Sequence, residues 1–175
     1  MTVTTRLVRL DDVPAITDLV KTNREFLAPW EPARDEDYFT EETQRAIVET
    51  GLAAYERGTG VPHLILDGGE LVGRINLNDI VRGPFQSCHL GYWVAESANG
   101  RGVATAAVAA IVRVAFEEMG LHRIQAGTLV HNAGSQKVLA RNGFVQFGTA
   151  PQYLSIAGRW QTHDLFQLIA PERSA

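Results

Sequence analysis

Two short stretches of the chain carry chemistry by their residue types and spacing. The first, Glu96-Ser-Ala-Asn-Gly-Arg-Gly-Val-Ala-Thr105, lies between a strand-prone run at 88–94 and the longest run of apolar residues at helical spacing. Gly100 and Gly102 can bring bare backbone N–H groups up to a ligand, and the N-terminus of the helix that follows favours negative charge. The junction therefore suits a phosphate or pyrophosphate, although a glycine pair before a helix also serves as a plain tight turn. Two rival phosphate loops are excluded. No Lys-Ser/Thr pair follows the second glycine, and Thr105 stands where a dinucleotide fingerprint needs its third glycine, with Gln125 in place of the acidic ribose ligand. The second stretch, His131-Asn-Ala-Gly-Ser135, closes one strand-prone run and opens another helix. Polar side chains at two strand ends then face two helix N-termini, which is the arrangement of a cleft. Asn132 also reads as an N-cap and Ser135 as a first-turn residue.

Other reactive side chains are less organised. His131, His163 and Asp164 fall at strand ends, where they can relay a proton or simply face solvent. Cys88 beside His89 is no dyad, because successive strand residues point to opposite faces. Trp30, Tyr92, Trp93, Tyr153 and Trp160 read as packing residues. One cysteine excludes an intrachain disulfide and a Cys-based zinc site, agrees with a reducing compartment, and leaves no metal implied. The net charge of −4, with no basic cluster, argues against nucleic-acid binding. Arg6, Arg9, Asp11 and Asp12 interrupt the N-terminus where a signal peptide would be apolar, and no apolar run is long enough to span a bilayer. The expectation is a cytoplasmic protein that avoids membranes.

The elements that must hold these residues can be read from periodicity. With 175 residues, 45% hydrophobic, and no repeat or linker, the chain is expected to form one domain, 1–175, with a self-sufficient core. A strand at 5–10 stops at Asp11-Asp12, which can cap a helix carrying Val13, Ile16, Leu19 and Val20 on one face. The stretch 23–32 breaks that helix, and Thr40 caps a second one that ends at Gly58 and Gly60. A hairpin at 63–66 and 71–77, turned by Asp67-Gly-Gly-Glu70, leads to the strand at 88–94. A long helix from Val103 to near Gly120, a strand at 122–130, a helix at 133–141 and strands at 144–148 and 164–169 complete the chain. This order predicts an α/β (α+β) fold with a mixed sheet covered by helices rather than a regular doubly wound one.

With both stretches and their setting in view, the chain resembles the Gcn5-related N-acetyltransferase (GNAT) superfamily. Asn99-Gly-Arg-Gly-Val-Ala104 is similar to its pyrophosphate loop, and Asn132-x-x-Ser135 with Gly143-Phe144 is similar to its second acetyl-CoA motif. Ile80-Val-Arg-Gly-Pro-Phe85, Leu90-Gly-Tyr-Trp93, Leu121-His-Arg-Ile124 and Tyr153-Leu-Ser-Ile-Ala-Gly-Arg-Trp160 resemble the RimJ/RimL-like branch, which acetylates ribosomal-protein N-terminal alanines. The resemblance implies the acyl-CoA N-acyltransferase fold, a mixed central sheet with splayed strands flanked by helices. It places acetyl-CoA in the splay, the pantetheine against unpaired backbone near Trp93 and Val94, and Asn132 on the pantetheine arm. The pyrophosphate would lie on the loop Asn99, Gly100, Arg101, Gly102, Val103, Ala104 and Thr105, with Arg101 adding charge. Phe26, Trp30 and Tyr153 would wall the acceptor groove.

The sequence departs from the superfamily pattern at two positions. Leu139 replaces a tyrosine acid common in the superfamily, so stabilisation of the leaving thiolate falls by analogy to Ser135, as a hydrogen-bond donor. Gln152 replaces the glutamate base of a Rim relative. An α-amine of pKa about 8 is roughly one-tenth uncharged at pH 7, against a few parts in ten thousand for a lysine, so a site lacking that carboxylate favours α-amines. The resemblance thus implies acetyl transfer to a protein N-terminus by a monomer or homodimer. Alternatives are a small-molecule amine acceptor, such as an antibiotic or polyamine, and a non-catalytic acetyl-CoA sensor.

Overall fold

The structure, a computed structural model, describes residues 2–172. Its strands are β1 (Val3–Leu7), β2 (Val61–Asp67), β3 (Glu70–Val81), β4 (Ser87–Val94), β5 (Arg123–Leu129), β6 (Val145–Ile156) and β7 (Arg159–Ile169). Its helices are α1 (Val13–Thr22), α2 (Arg24–Leu27), α3 (Glu41–Glu56), α4 (Val103–Arg113) and α5 (Ala133–Arg141). The strands form one seven-stranded sheet in the order β1-β2-β3-β4-β5-β7-β6. Every neighbouring pair is antiparallel except β4 and β5, so the sheet is mixed, as the element order predicts.

Alternation along the strands sorts the core onto two faces. Cys88, Leu90 and Val94 of β4 and Ile124 and Ala126 of β5 pack with Val103, Ala107, Val108 and Ile111 of α4. Those α4 positions recur at the spacing of one helical stripe, and they account for the helix signal in the sequence. On the opposite face, Val13 and Ile16 of α1 and Val48 of α3 meet Leu64 of β2. Thr40 caps α3 as expected, its Oγ1 accepting the Thr43 N–H at 3.3 Å. Beyond Arg113 the long helix runs on as a π turn through Glu118.

Four local expectations are corrected. The first strand ends at Leu7, not residue 10, and residues 10–12 form a 3-10 turn. The Asp12 carboxylate does not cap α1: it accepts the Arg9 N–H at 2.8 Å and both Arg6 guanidinium nitrogens at 2.7 and 2.8 Å. That pair holds the Asp12 carboxyl below the usual carboxylate range. Within the expected break at 23–32 lies the short helix α2. Finally, the last two strands are not short segments. They form one long hairpin that turns at Ala157-Gly158 and includes the whole stretch 149–163.

Between β4 and β5 the sheet opens. These strands pair only at Ser87–Arg123, Cys88–Ile124 and His89–Gln125. From there β4 stays with β3, where Trp93 lies across from Arg74 and Val94 from Gly73, while β5 stays with β7 as far as Leu129 opposite His163. The end of β4 is anchored away from β5 because Asn23 Oδ1 accepts the Glu96 N–H at 2.8 Å, tying the following turn to the end of α1. Backbone groups on the inner edge of 90–94 are left without a strand partner, a state tolerated only where a ligand or water supplies one.

Candidate active site

The gap passes through the sheet, and side-chain parity gives it two different mouths. Tyr92 shares the face of Leu90 and Val94 and turns toward α5, whereas Gly91 and Trp93 turn toward α2. In the gap lies a cavity of about 190 Å³ walled by Tyr92, Trp93, Thr128 and Ser135 on the strands and α5, with Trp30 and Glu31 across from them. It shares Tyr92, Trp93, Asn132 and Ser135 with an adjoining cavity of about 400 Å³ that also touches Phe26, Val94 and Asn99. A third, of about 270 Å³, continues over Gly100, Gly102, Val103, Ala104 and Thr105. Together they form one groove from the α4 N-terminus to the middle of the splay. A larger cavity of about 540 Å³, lined mainly by apolar residues such as Val112, Phe116 and Leu168, contains none of the candidate residues.

The α4 end of the groove is built for an anion. Gly100 and Gly102 have φ of 73° and 82°, left-handed conformations that a side chain resists, so both glycines are required for the turn. The first intrahelical bond is Ala106 N–H to the Gly102 carbonyl, leaving the N–H groups of Val103, Ala104 and Thr105 to face the groove's end. No acidic residue lies in that first turn. Lys137 and Arg141 of α5 line the same pocket, one turn apart on one face, and supply the positive charge. Sequence reasoning missed them, although their i, i+4 spacing from each other on the helix that begins at Ala133 was visible. Arg101 goes elsewhere: its guanidinium bonds Asp67 Oδ2 at 2.8 Å and does not line the groove, so only its backbone belongs to the loop.

Midway along the groove, Asn132 caps α5, its Oδ1 accepting the Ser135 N–H at 3.0 Å. Its amide nitrogen has no hydrogen bond among the described residues. The cap also fixes Ser135, whose Oγ lies 2.8 Å from the Tyr92 hydroxyl. Burial pushes the Tyr92 phenol up to about 12, with the Ser135 contact pulling weakly the other way, so Tyr92 keeps its proton at neutral pH. A protonated phenol bonded to Ser135 Oγ leaves the serine O–H free to turn into the groove. Tyr92 is thus part of the site, and its strand alternation toward α5 was the signal that could have found it. Leu139 is fully buried in the core, so no acid stands at that superfamily position. Cys88 is buried too, its thiol pushed up to about 12, and it serves packing alone.

At the far mouth Trp30 packs on the His131 ring, with centroids 5.6 Å apart, and Phe26 lies alongside. Glu31 extends the wall; burial raises its carboxyl, while Arg34, 3.8 Å away, and Arg74 oppose the rise. Tyr153 does not line the cavity. It packs tilted behind His163, with ring centroids 5.6 Å apart, and His163 forms part of the wall instead. Gln152 lies in the β6 bulge with φ of 49°, at the start of the arm that carries Tyr153.

The chain was compared with known proteins and solved structures. Residues 3–145 match the acetyltransferase (GNAT) domain. The chain is 34% identical over 169 residues to the [ribosomal protein uS5]-alanine N-acetyltransferase of Escherichia coli (strain K12), covering 95% of this chain and 87% of that protein. The crystal structure of ribosomal-protein-S5-alanine acetyltransferase from Vibrio fischeri superposes with a TM-score of 0.91 at 32% identity, covering 97% of this chain and 93% of that one. Mycobacterium smegmatis RimJ in complex with CoA-disulfide gives 0.93 at 33% identity, covering 96% and 82%. Fold, groove and relatives agree, and the chain belongs to the GNAT family as an acetyl-CoA-dependent N-acetyltransferase with the acyl-CoA N-acyltransferase fold.

Proposed function

We propose that the protein transfers acetyl from acetyl-CoA to the α-amine of a protein N-terminus, that of an alanine on a ribosomal protein, in the cytoplasm. The observation that carries this reading is the through-sheet gap, which brings an anion-binding groove on one side to a small, aromatic-walled mouth on the other. A terminal amine on an extended chain fits such a mouth. The relatives named for uS5 alanine acetylation support the choice of acceptor.

Each part of the groove then has a task. The N–H groups at the start of α4 bind the pyrophosphate, with Lys137 and Arg141 adding charge. Unpaired backbone along 90–94 and the Asn132 amide hold the pantetheine arm. Acetyl-CoA, once bound there, supplies the thioester that the amine attacks. Ser135 Oγ–H donates to the sulfur as negative charge develops on it, and Tyr92 holds that hydroxyl in place by donating its own O–H to Ser135 Oγ across 2.8 Å. Trp30 and Phe26 exclude water from the mouth, and the Glu31 carboxylate draws in an ammonium.

Ribosomal proteins stripped of N-terminal modification, incubated with the enzyme and acetyl-CoA, are expected to gain acetyl on an N-terminal alanine. Peptide mapping by mass spectrometry reads the site. Acetyl found on lysine side chains, with the termini left free, would overturn the reading.

A further inference from the structure

A direct transfer from acetyl-CoA to an amine needs a proton acceptor, and Gln152 cannot be one. We propose that His163 Nε2 takes the proton that the acceptor ammonium must lose before it attacks. The residue is 3% exposed, yet it lines the cavity in the splay together with Ser135. Its Nδ1 lies 3.0 Å from the Gln161 carbonyl oxygen, which can only accept, so Nδ1 carries the hydrogen. The bare lone pair is then on Nε2. That atom has no hydrogen bond among the described residues, and the residue that carries it lines the cavity. Tyr153, delivered by the β6 bulge, packs against the ring at a tilt of 57°.

Parity separates the two proton tasks across the sheet. His163 pairs with Leu129 on β5, one residue out of phase with Thr128, so it faces the acceptor mouth while Tyr92 and Ser135 occupy the thioester side. The charged and titratable groups that share the cavity are Glu31 and Tyr92. Asp164, next in sequence, faces the other side of the sheet and accepts from Thr149 Oγ1 at 2.7 Å. Glu31 is the rival base; burial raises its carboxyl and Arg34, 3.8 Å away, and Arg74 oppose the rise, so a pH profile that His163→Gln leaves unchanged assigns the step to Glu31. Imidazole is the side chain suited to exchange protons near neutral pH. In the balanced step, the ammonium gives one proton to His163 Nε2, which passes it to water. The amine nitrogen bonds the carbonyl carbon as the carbon–sulfur bond breaks. The second departing proton ends on the thiolate, giving the free thiol, and the amide keeps one hydrogen.

The inference rests on the α-amine reading only in its choice of acceptor. The test is the pH profile of kcat/KM for wild type and His163→Gln, using whichever amine the wild type acetylates fastest. For an α-amine the variant is expected to lose about 10-fold at pH 7, because about one-tenth of such an amine is already free there, and almost nothing at pH 9. For a more basic amine the loss grows and the crossover moves up with the amine's pKa. Acetyl-CoA affinity by calorimetry is expected to be unchanged, and added imidazole is expected to restore His163→Ala. An equal loss at both pH values without imidazole rescue, or no loss at all, overturns the proposal. Long-range proton–nitrogen NMR of the wild-type imidazole at pH 8 checks it independently of either variant's folding: hydrogen on Nδ1 supports it, and hydrogen on Nε2 contradicts it. A wild type that ignores an alanine peptide but acetylates another amine sinks the α-amine reading and leaves the His163 profile readable.

Discussion

Ser135→Ala is expected to lower kcat by about 100-fold, with acetyl-CoA affinity within roughly a factor of two of wild type. The size follows from the task. A donor aimed at an atom that becomes charged only as the bond breaks contributes little to ground-state binding, so its loss falls on kcat. Alanine keeps the α5 cap, because Asn132 Oδ1 bonds the Ser135 backbone N–H, which the substitution leaves in place. The Tyr92 hydroxyl still has the Ser135 carbonyl at 3.3 Å, so the variant leaves no new orphan in the groove. Tyr92→Phe removes the group that orients the serine and is expected to lower kcat in the same direction by less. Steady-state kinetics with calorimetric binding separates the two effects. Unchanged kcat in Ser135→Ala would remove the serine from the chemistry and leave it as a helix residue.

The second large effect is structural. Gly73→Val is expected to destabilise the protein by about 3 kcal/mol, near the upper end for overpacking, because a Cβ at Gly73 would lie 2.3 Å from the Trp93 carbonyl oxygen and 3.0 Å from the Val94 Cα. Both contacts are backbone and cannot swing aside. At this chain length such a loss lowers Tm by roughly 6–12 °C. It also pushes Trp93 and Val94, the edge of the splay, so acetyl-CoA affinity should fall with Tm. Gly148→Ala is the matched control: a Cβ there meets nothing within 4 Å, and Tm should barely move. Equal stability of Gly73→Val and wild type by calorimetry would show that β4 is free to shift and that the splay is not held from the β3 side.

Much of this architecture was legible because it rests on local signals. The stripe Val103, Ala107, Val108, Ile111 is helical by period alone, and Asp67-Gly-Gly-Glu70 joins β2 to β3 as turn chemistry requires. Gly100 and Gly102 carry the left-handed turn that their residue type announced. The hairpin arm at 149–163 was not legible, since Pro151, the bulge and the polar alternation of an exposed ribbon leave no buried face to give a period. At the site, the loop and Asn132–Ser135 were readable from helix starts. Tyr92, Lys137 and Arg141 were not singled out, and His163 was named only as one of three polar residues able to relay a proton, because each acquires its role from a neighbour distant in sequence. Tyr92 meets Ser135 across the gap, and the bulge in β6 sets Tyr153 behind His163. Arg101 shows the reverse case: its type suggested a phosphate ligand, but Asp67 lies closer in space and takes the guanidinium.

The most direct measurement uses two peptides, each incubated with enzyme and acetyl-CoA and read by mass spectrometry. One has a free N-terminal alanine and a blocked lysine, and the other has a blocked N-terminus and a free lysine. Acetylation of the alanine peptide alone is the predicted result, since an α-ammonium gives up its proton near neutral pH far more readily than a lysine side chain. Acetylation of the lysine peptide, or of neither while acetyl-CoA still binds, would contradict the account.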